Sequence, residues 1–145
     1  MTCKIRDILK DQTPQVSFEI FPPKTDAGYD SVLSAAEKIA ALKPSFISVT
    51  YGAGVSIASH IKDDFGVTSL AHLTCVSSTR EEVHQVIDKL KEKKIDNILA
   101  LRGDIPKDNA FPLPNQYRYA CELIEDIKQQ GDFCIGAACY PEGHV

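Results

Sequence analysis

Apolar and polar residues alternate from Val16 to Ile20, and Phe21 and two prolines follow. Side chains that alternate in this way predict a strand with one apolar face. Because prolines cannot donate to a ladder, the strand is expected to end there. Further β-rich runs predict four more strands: Phe46–Tyr51, Leu70–Val76, Asn97–Leu101 and Phe133–Cys139.

Segments of helical periodicity separate these strands. Ile5, Ile8 and Leu9 predict a short N-terminal helix before Pro14. Four crossover helices are expected after it. The first has Asp26 or Asp30 as its N-cap and ends before Pro44, and the second is short and carries Ile57, Ile61 and Phe65. The third begins with a capping box at Ser78–Glu81, and the fourth is amphipathic and runs from about residue 116 to Gly131.

The resulting order, βαβαβαβαβ, is typical of an α/β fold with a parallel sheet and helical crossovers. Two architectures fit it: an open doubly wound sheet, or part of an eight-stranded TIM-type barrel. The first strand–helix turn lacks Gly-x-Gly-x-x-Gly, which weakens the dinucleotide-binding alternative. We expect residues 1–145 to form a single partial barrel domain of five strands and four crossover helices.

Polar residues occur at or just beyond the predicted carboxyl ends of all five strands. Barrel enzymes keep their active sites at this rim. Each residue also has a structural explanation, such as a core position for a histidine or a turn pair across a glycine, but their shared location favours a site. These residues are Glu19, Thr50, His72, Arg102, Asp104, Tyr140 and His144.

Glu19 is the first catalytic candidate. A carboxylate among Phe18, Ile20 and Phe21 would lose hydration, and its pKa would rise unless a partner held it ionised. Such a group can act as a general acid. The alternative is that Glu19 lies on the solvent face of an edge strand.

Composition restricts the class of protein. With 43% apolar and 25% charged residues and a net charge of −4, the 145-residue chain suits a globular domain and argues against a nucleic-acid binder. It contains neither a bilayer-length apolar run nor a hydrophobic signal core, so we expect a cytoplasmic protein without a membrane partner.

Five scattered cysteines suit reduced thiols better than disulfides. Cys134, Cys139 and His144 lack zinc-site spacing, and we expect no metal.

Five short motifs in this chain together resemble the methylenetetrahydrofolate reductase family. They follow the family order and cover nearly the whole sequence. The motifs are Ser17-Phe-Glu-Ile-Phe-Pro-Pro23, Ser48-Val-Thr-Tyr-Gly-Ala53, Ala71-His-Leu-Thr-Cys75, Ala100-Leu-Arg-Gly-Asp104 and Tyr140-Pro-Glu-Gly-His144.

The resemblance implies a βα barrel with FAD at its carboxyl rim, using NADH or NADPH to reduce methylenetetrahydrofolate to methyltetrahydrofolate in one-carbon and methionine metabolism. It implies that Glu19 is the general acid, that Asp104 lies between flavin and pterin, and that Thr50 lies near the nicotinamide. The positions that match flavin contacts are Tyr51, Ala53, His72, Arg102, Gly103, Tyr119, Ala120, Tyr140 and His144. We also expect a homo-oligomer.

Two departures from the family pattern stand out. Val55-Ser-Ile57 follows Gly54 directly, where the family usually has a polar loop segment. A complete barrel also needs about 250 residues. The chain is therefore expected to be a fragment or truncated homologue of the enzyme, and to bind FAD weakly by itself. The alternatives are a non-catalytic partial barrel that pairs with another chain, and a metal-dependent lyase using His72 and His144.

Overall fold

The computed structural model describes residues 3–23, 25–50, 54–76, 78–105, 107 and 110–143. Strands and helices alternate through this part of the chain. The elements in order are α1 (Ile5–Ile8), β1 (Ser17–Ile20), α2 (Tyr29–Ala40), β2 (Phe46–Val49), α3 (Gly54–Asp63), β3 (Ser69–Thr74), α4 (Arg80–Glu92), β4 (Asn97–Leu101), α5 (Ala120–Gln130) and β5 (Cys134–Ala137).

The five strands form one parallel sheet in the order β1-β2-β3-β4-β5. Each crossover therefore moves one strand further in the same direction. Since such crossovers are right-handed, they place their helices on one face of the sheet. A doubly wound sheet would instead reverse its strand order. The observed order confirms the partial TIM-type barrel predicted from the sequence.

Side-chain burial distinguishes the two faces of the sheet. On the helix-covered face, Ile47, Leu73 and Ile98 are fully buried against helix residues such as Ile61 and Leu123. On the other face, Ser17 and Glu19 are exposed, Leu70, Thr74 and Leu99 are half-buried, and Ser48 and His72 are buried. We call this second surface the open face; in a closed barrel it would be the interior.

A buried asparagine anchors the N-terminal helix to the amino ends of the strands. The Oδ1 atom of Asn97 accepts a hydrogen bond from the Ile5 N–H at 2.8 Å, and its Nδ2 atom donates to the carbonyl oxygens of Cys3 and Ser69. Lys4 pairs with Asp132 at 2.5 Å. The predicted short helix is thus present, and it lies at the opposite end of the sheet from the candidate site residues.

The predicted capping box is wrong by one residue. Thr79, not Ser78, is the N-cap of α4: its Oγ1 atom accepts from the Glu82 N–H at 3.2 Å, and the Glu82 carboxylate accepts from the Thr79 N–H at 2.7 Å. Both registers fit the string Ser-Ser-Thr-Arg-Glu-Glu. Ser78 is buried, so its position favours the register that leaves Thr79 at the helix end.

Two other helix starts differ from the prediction. Gly28 precedes α2, without a side-chain cap, after a short 3₁₀ turn at Asp26–Gly28; Asp30 lies inside the first turn. Helix α5 begins at Ala120, because Tyr119 has extended dihedral angles (φ −129°, ψ 153°). No helix among the described residues is long and apolar enough to cross a membrane.

We expect Thr79→Ala to lower the free energy of unfolding by about 1 kcal/mol, because the substitution leaves a helix-end N–H without its side-chain acceptor. Thr79→Ser keeps the hydroxyl and is the matched control, expected to stay close to the parent. Urea denaturation monitored by circular dichroism measures both. Equal stability of Thr79→Ala and the parent would contradict the assigned N-cap.

Candidate functional site

A cleft of about 370 Å³ lies at the carboxyl ends of β4 and β5, beside the first turn of α5. Its remaining walls are small or apolar residues of the two strands. Six residues that the sequence predicted as site residues line it: Arg102, Gly103, Asp104, Tyr119, Ala120 and Tyr140. These positions come from three separate segments, and the fold brings them together.

The backbone after β4 keeps Arg102 and Asp104 at this rim. The N–H groups of Cys75 and Val76 donate to the carbonyl oxygens of Leu101 and Arg102 at 3.1 and 2.9 Å, which extends the pairing beyond the strands themselves. Gly103 then turns the chain at φ +82°, a region that favours glycine. Asp104 is therefore exposed at the mouth of the cleft.

Positive electrostatic potential converges on the cleft from two sources. Arg102 contributes a permanent cation, and the first turn of α5, which begins at Ala120, contributes the positive end of a helix dipole. Together these groups suit an anionic group such as a phosphate. Tyr119 and Tyr140, each about half exposed, offer ring surfaces at the same opening.

Glu19 and His72 lie on the open face. Glu19 is in register with Ser48, and Ser48 is in register with Leu70, two residues before His72. Phe18 and Ile20 point to the helix-covered side because side chains alternate along a strand. The apolar surroundings that the sequence suggested for Glu19 are therefore absent: its side chain is exposed.

His72 is a buried histidine with an unsatisfied ring nitrogen. Its Nε2 atom has no hydrogen-bond partner among the described residues, and the residue is only 8% exposed. Burial lowers the pKa of His72, although the Glu19 carboxylate opposes this shift. The imidazole is therefore neutral at neutral pH, and its Nε2 atom is buried without a partner among the described residues.

The remaining predicted residues are partly accounted for. Thr50 follows β2, where its N–H donates to the Ile20 carbonyl at 3.0 Å, and is half-buried. Tyr51, Ala53 and His144 lie outside the described residues. Glu19 lies at the same end of the sheet as the cleft, but the three strand spacings from β1 to β4 separate them by about 14 Å along the sheet.

The described residues contain no cluster of three or more histidine, cysteine or acidic side chains arranged to hold a metal ion. Cys134 is buried at the amino end of β5, where its Sγ atom accepts from the Arg6 N–H, whereas Cys139 is exposed beyond the other end. The two thiols thus belong to opposite ends of the strand.

Sequence reasoning missed Tyr117, which is fully buried three residues before α5. Its hydroxyl donates to Asp126 at 2.5 Å, and the Arg80 guanidinium lies 4.2 Å from its ring centroid. The only signal in the sequence was an aromatic residue in a proline-rich loop. The predicted helix from about residue 116 included Tyr117 but gave it no role.

Comparison with known proteins agrees with the fold. The profile of the methylenetetrahydrofolate reductase family matches residues 4–145. This chain belongs to the methylenetetrahydrofolate reductase family. The resemblance inferred from the five motifs is thereby confirmed.

Bacterial and plant relatives show how much of the family protein this chain represents. It is 39% identical to the 5,10-methylenetetrahydrofolate reductase of Pectobacterium carotovorum, over 89% of this chain and 44% of that protein. The Escherichia coli protein is 38% identical, with 45% of it covered. A probable NADH-dependent reductase of rice is 34% identical over 97% of this chain and 26% of its own length. The chain thus spans less than half the length of these relatives.

We expect NMR titration to give His72 a pKa below its usual value of 6.5, because burial disfavours the imidazolium ion. Glu19→Gln should lower it further, since the substitution removes the charge that stabilises the protonated ring. As pH falls below 6.5, His72 is protonated in a larger fraction of the unfolded chains than of the folded chains. Acidification through this range therefore lowers the free energy of unfolding.

Glu37→Gln, an exposed substitution on α2, is the matched control for that titration and should leave the pKa of His72 unchanged. A His72 pKa above 6.5, or one that rises in Glu19→Gln, would contradict the placement of the two residues.

Proposed function

We propose that this chain forms the flavin-binding half of a methylenetetrahydrofolate reductase, a cytoplasmic flavoprotein that uses NADH or NADPH to reduce methylenetetrahydrofolate to methyltetrahydrofolate. The single observation that carries the proposal is the cleft between β4, β5 and α5, which gathers five residues expected to contact flavin together with Asp104, expected to lie between flavin and pterin. Membership of the family supports the choice of reaction. The complete enzyme requires the rest of the family barrel.

The residues present fit FAD. A dinucleotide cofactor offers phosphates and a flat ring system, and the site provides Arg102, the first turn of α5 and the rings of Tyr119 and Tyr140. The unsatisfied Nε2 atom of His72 is a further polar group on the open face, which would become the barrel interior. When bound, FAD supplies the hydride-transfer chemistry, and the protein supplies orientation and protons.

Asp104 and Glu19 take different roles in this proposal. Asp104 lies at the mouth of the cleft, where its carboxylate contributes a negative charge beside the bound ring systems. Glu19 lies on the open face and would protonate the folate, so that the methylene bridge opens to an electrophilic iminium ion. The exposure of Glu19 in the described part of the chain leaves its carboxyl group accessible to a substrate held over this face.

Thr50 and His72 complete the proposed arrangement. Thr50 follows β2, which pairs with β1, the strand that carries Glu19. This location suits a position near the nicotinamide. His72 lies on β3, between the Glu19 strand and the strands that form the cleft. Because its ring is neutral, it can donate or accept a hydrogen bond towards the flavin without adding charge.

We expect Arg102→Ala, in a polypeptide that contains the complete barrel, to weaken FAD binding by about tenfold or more, because a charge-assisted contact is lost. Arg6→Ala removes an exposed arginine at the opposite end of the sheet and should leave FAD affinity unchanged. Isothermal titration calorimetry measures both. Tight FAD binding that Arg102→Ala does not alter would contradict the assignment of the cleft.

We expect Glu19→Gln in the complete barrel to slow reduction of the folate by about 10²-fold or more, because only that half-reaction needs the proton. Reduction of the bound flavin by NAD(P)H should be nearly unchanged. Stopped-flow absorbance near 450 nm separates the two half-reactions, and Glu37→Gln serves as the matched surface control. Equal losses in both half-reactions, or in neither, would show that Glu19 is not the proton donor.

A further inference from the structure

The loop between β4 and α5 is held by a network that the proposed reaction does not use. Tyr117 lies at its centre: the residue is fully buried, although it belongs to an irregular segment rich in proline. Its hydroxyl donates to Oδ2 of Asp126 on α5 at 2.5 Å. His84 on α4 bonds the same oxygen through Nε2 at 2.8 Å. One carboxylate thus joins two helices and the loop.

Arg80 holds the other side of the Tyr117 ring. Its guanidinium lies 4.2 Å from the ring centroid and 3.6 Å from the Glu122 carboxylate, and its backbone N–H donates to the carbonyl of Asn115 at 2.8 Å. The Glu122 carboxylate also accepts from the Arg118 N–H at 2.9 Å. The network therefore holds Tyr117 and Arg118, the two residues that precede Tyr119.

The electrostatics keep the central carboxylate ionised. Burial alone would raise the pKa of Asp126, but the hydrogen bonds from Tyr117, His84 and Gln130 outweigh burial and lower it. Burial and the bond to Asp126 raise the pKa of Tyr117, so the phenol keeps its proton and remains the donor. The Tyr117–Asp126 contact is consequently a hydrogen bond to a charged acceptor, the stronger class of such bonds.

This network lies next to the part of the chain that forms the α5 side of the cleft. Tyr119 and Ala120, which line the cleft, come directly after Tyr117 and Arg118. The carbonyl of Tyr119 accepts from the N–H groups of Glu122 and Leu123, which forms the first turn of α5. Anything that fixes Tyr117 against Asp126 therefore also restrains the start of α5, which lines the cleft through Tyr119 and Ala120.

We propose that Tyr117 is a positioning residue of the flavin site: bonded to Asp126 and stacked on Arg80, it holds Tyr119 and the first turn of α5 in the binding-competent arrangement before FAD arrives. The inference rests on the proposed function. If the loop were released, FAD binding would have to order it. The apparent affinity for FAD would then fall in proportion to the fraction of chains in the binding-competent arrangement.

Tyr117→Phe tests this, because it removes the hydroxyl and keeps the ring under Arg80. In the complete barrel we expect FAD affinity to fall by about tenfold, the loss that corresponds to one hydrogen bond to a charged group. Ile61→Val, a buried substitution on α3, is the control with a comparable loss of global stability. Ile61→Val should leave FAD affinity unchanged. If Tyr117 had a merely structural role, Tyr117→Phe and Ile61→Val would change FAD affinity equally.

A double-mutant cycle identifies the partner. Tyr117→Phe should weaken FAD binding much less in an Asp126→Asn background, because the charged acceptor is already gone. Additive effects of the two substitutions on the FAD dissociation constant would overturn the Tyr117–Asp126 mechanism.

Hydrogen exchange provides a readout that needs no cofactor. Tyr117→Phe should speed amide exchange of Glu122 and Leu123, in the first turn of α5, relative to Ile61→Val. If the parent binds FAD and Tyr117→Phe changes neither affinity nor exchange, the positioning role is wrong and the proposed function stands. If the parent complete barrel does not bind FAD, the proposed function and this inference both fail.

Discussion

The structure depends on one constraint: five parallel strands are joined in sequence order by crossovers of one hand. This constraint places the helices on one face, where their apolar stripes bury the sheet residues that point towards them. It also brings the carboxyl ends of all five strands to one edge. The candidate site residues, which are scattered through the sequence, lie at the same end of the sheet for that reason.

The same constraint separates the polar residues into two groups with different surroundings. Arg102, Asp104 and the start of α5 surround a defined cleft. Glu19 and His72 lie on the open face, where one is exposed and the other is buried. His72 lies on the central strand β3, between the strand that carries Glu19 and the strands that form the cleft, and its burial keeps the imidazole neutral. Under the proposed function, FAD in the cleft and folate over the open face would approach each other near β3, the strand that lies between them.

The cleft also depends on residues that never touch it. The N–H groups of Cys75 and Val76 extend the strand pairing past β4, and Gly103, which does line the cleft, turns the chain at a positive φ that favours glycine. The α5 side of the cleft is set by a carboxylate shared between a buried tyrosine and a histidine. These contacts link α5 to α4, so the cleft is supported from outside by the same helices that cover the sheet.

The sequence by itself determined the parallel α/β class, the five strands and the family, because alternating and helical periodicities and five ordered motifs are local features. The tertiary structure alone decided the rest. The choice of Thr79 over Ser78 as N-cap, the start of α5 at Ala120 and the exposure of Glu19 depend on which neighbours compete for each group. The role of Tyr117 could not be predicted, because its partners Arg80, His84 and Asp126 are distant in sequence or on another helix, and only packing brings them to one ring.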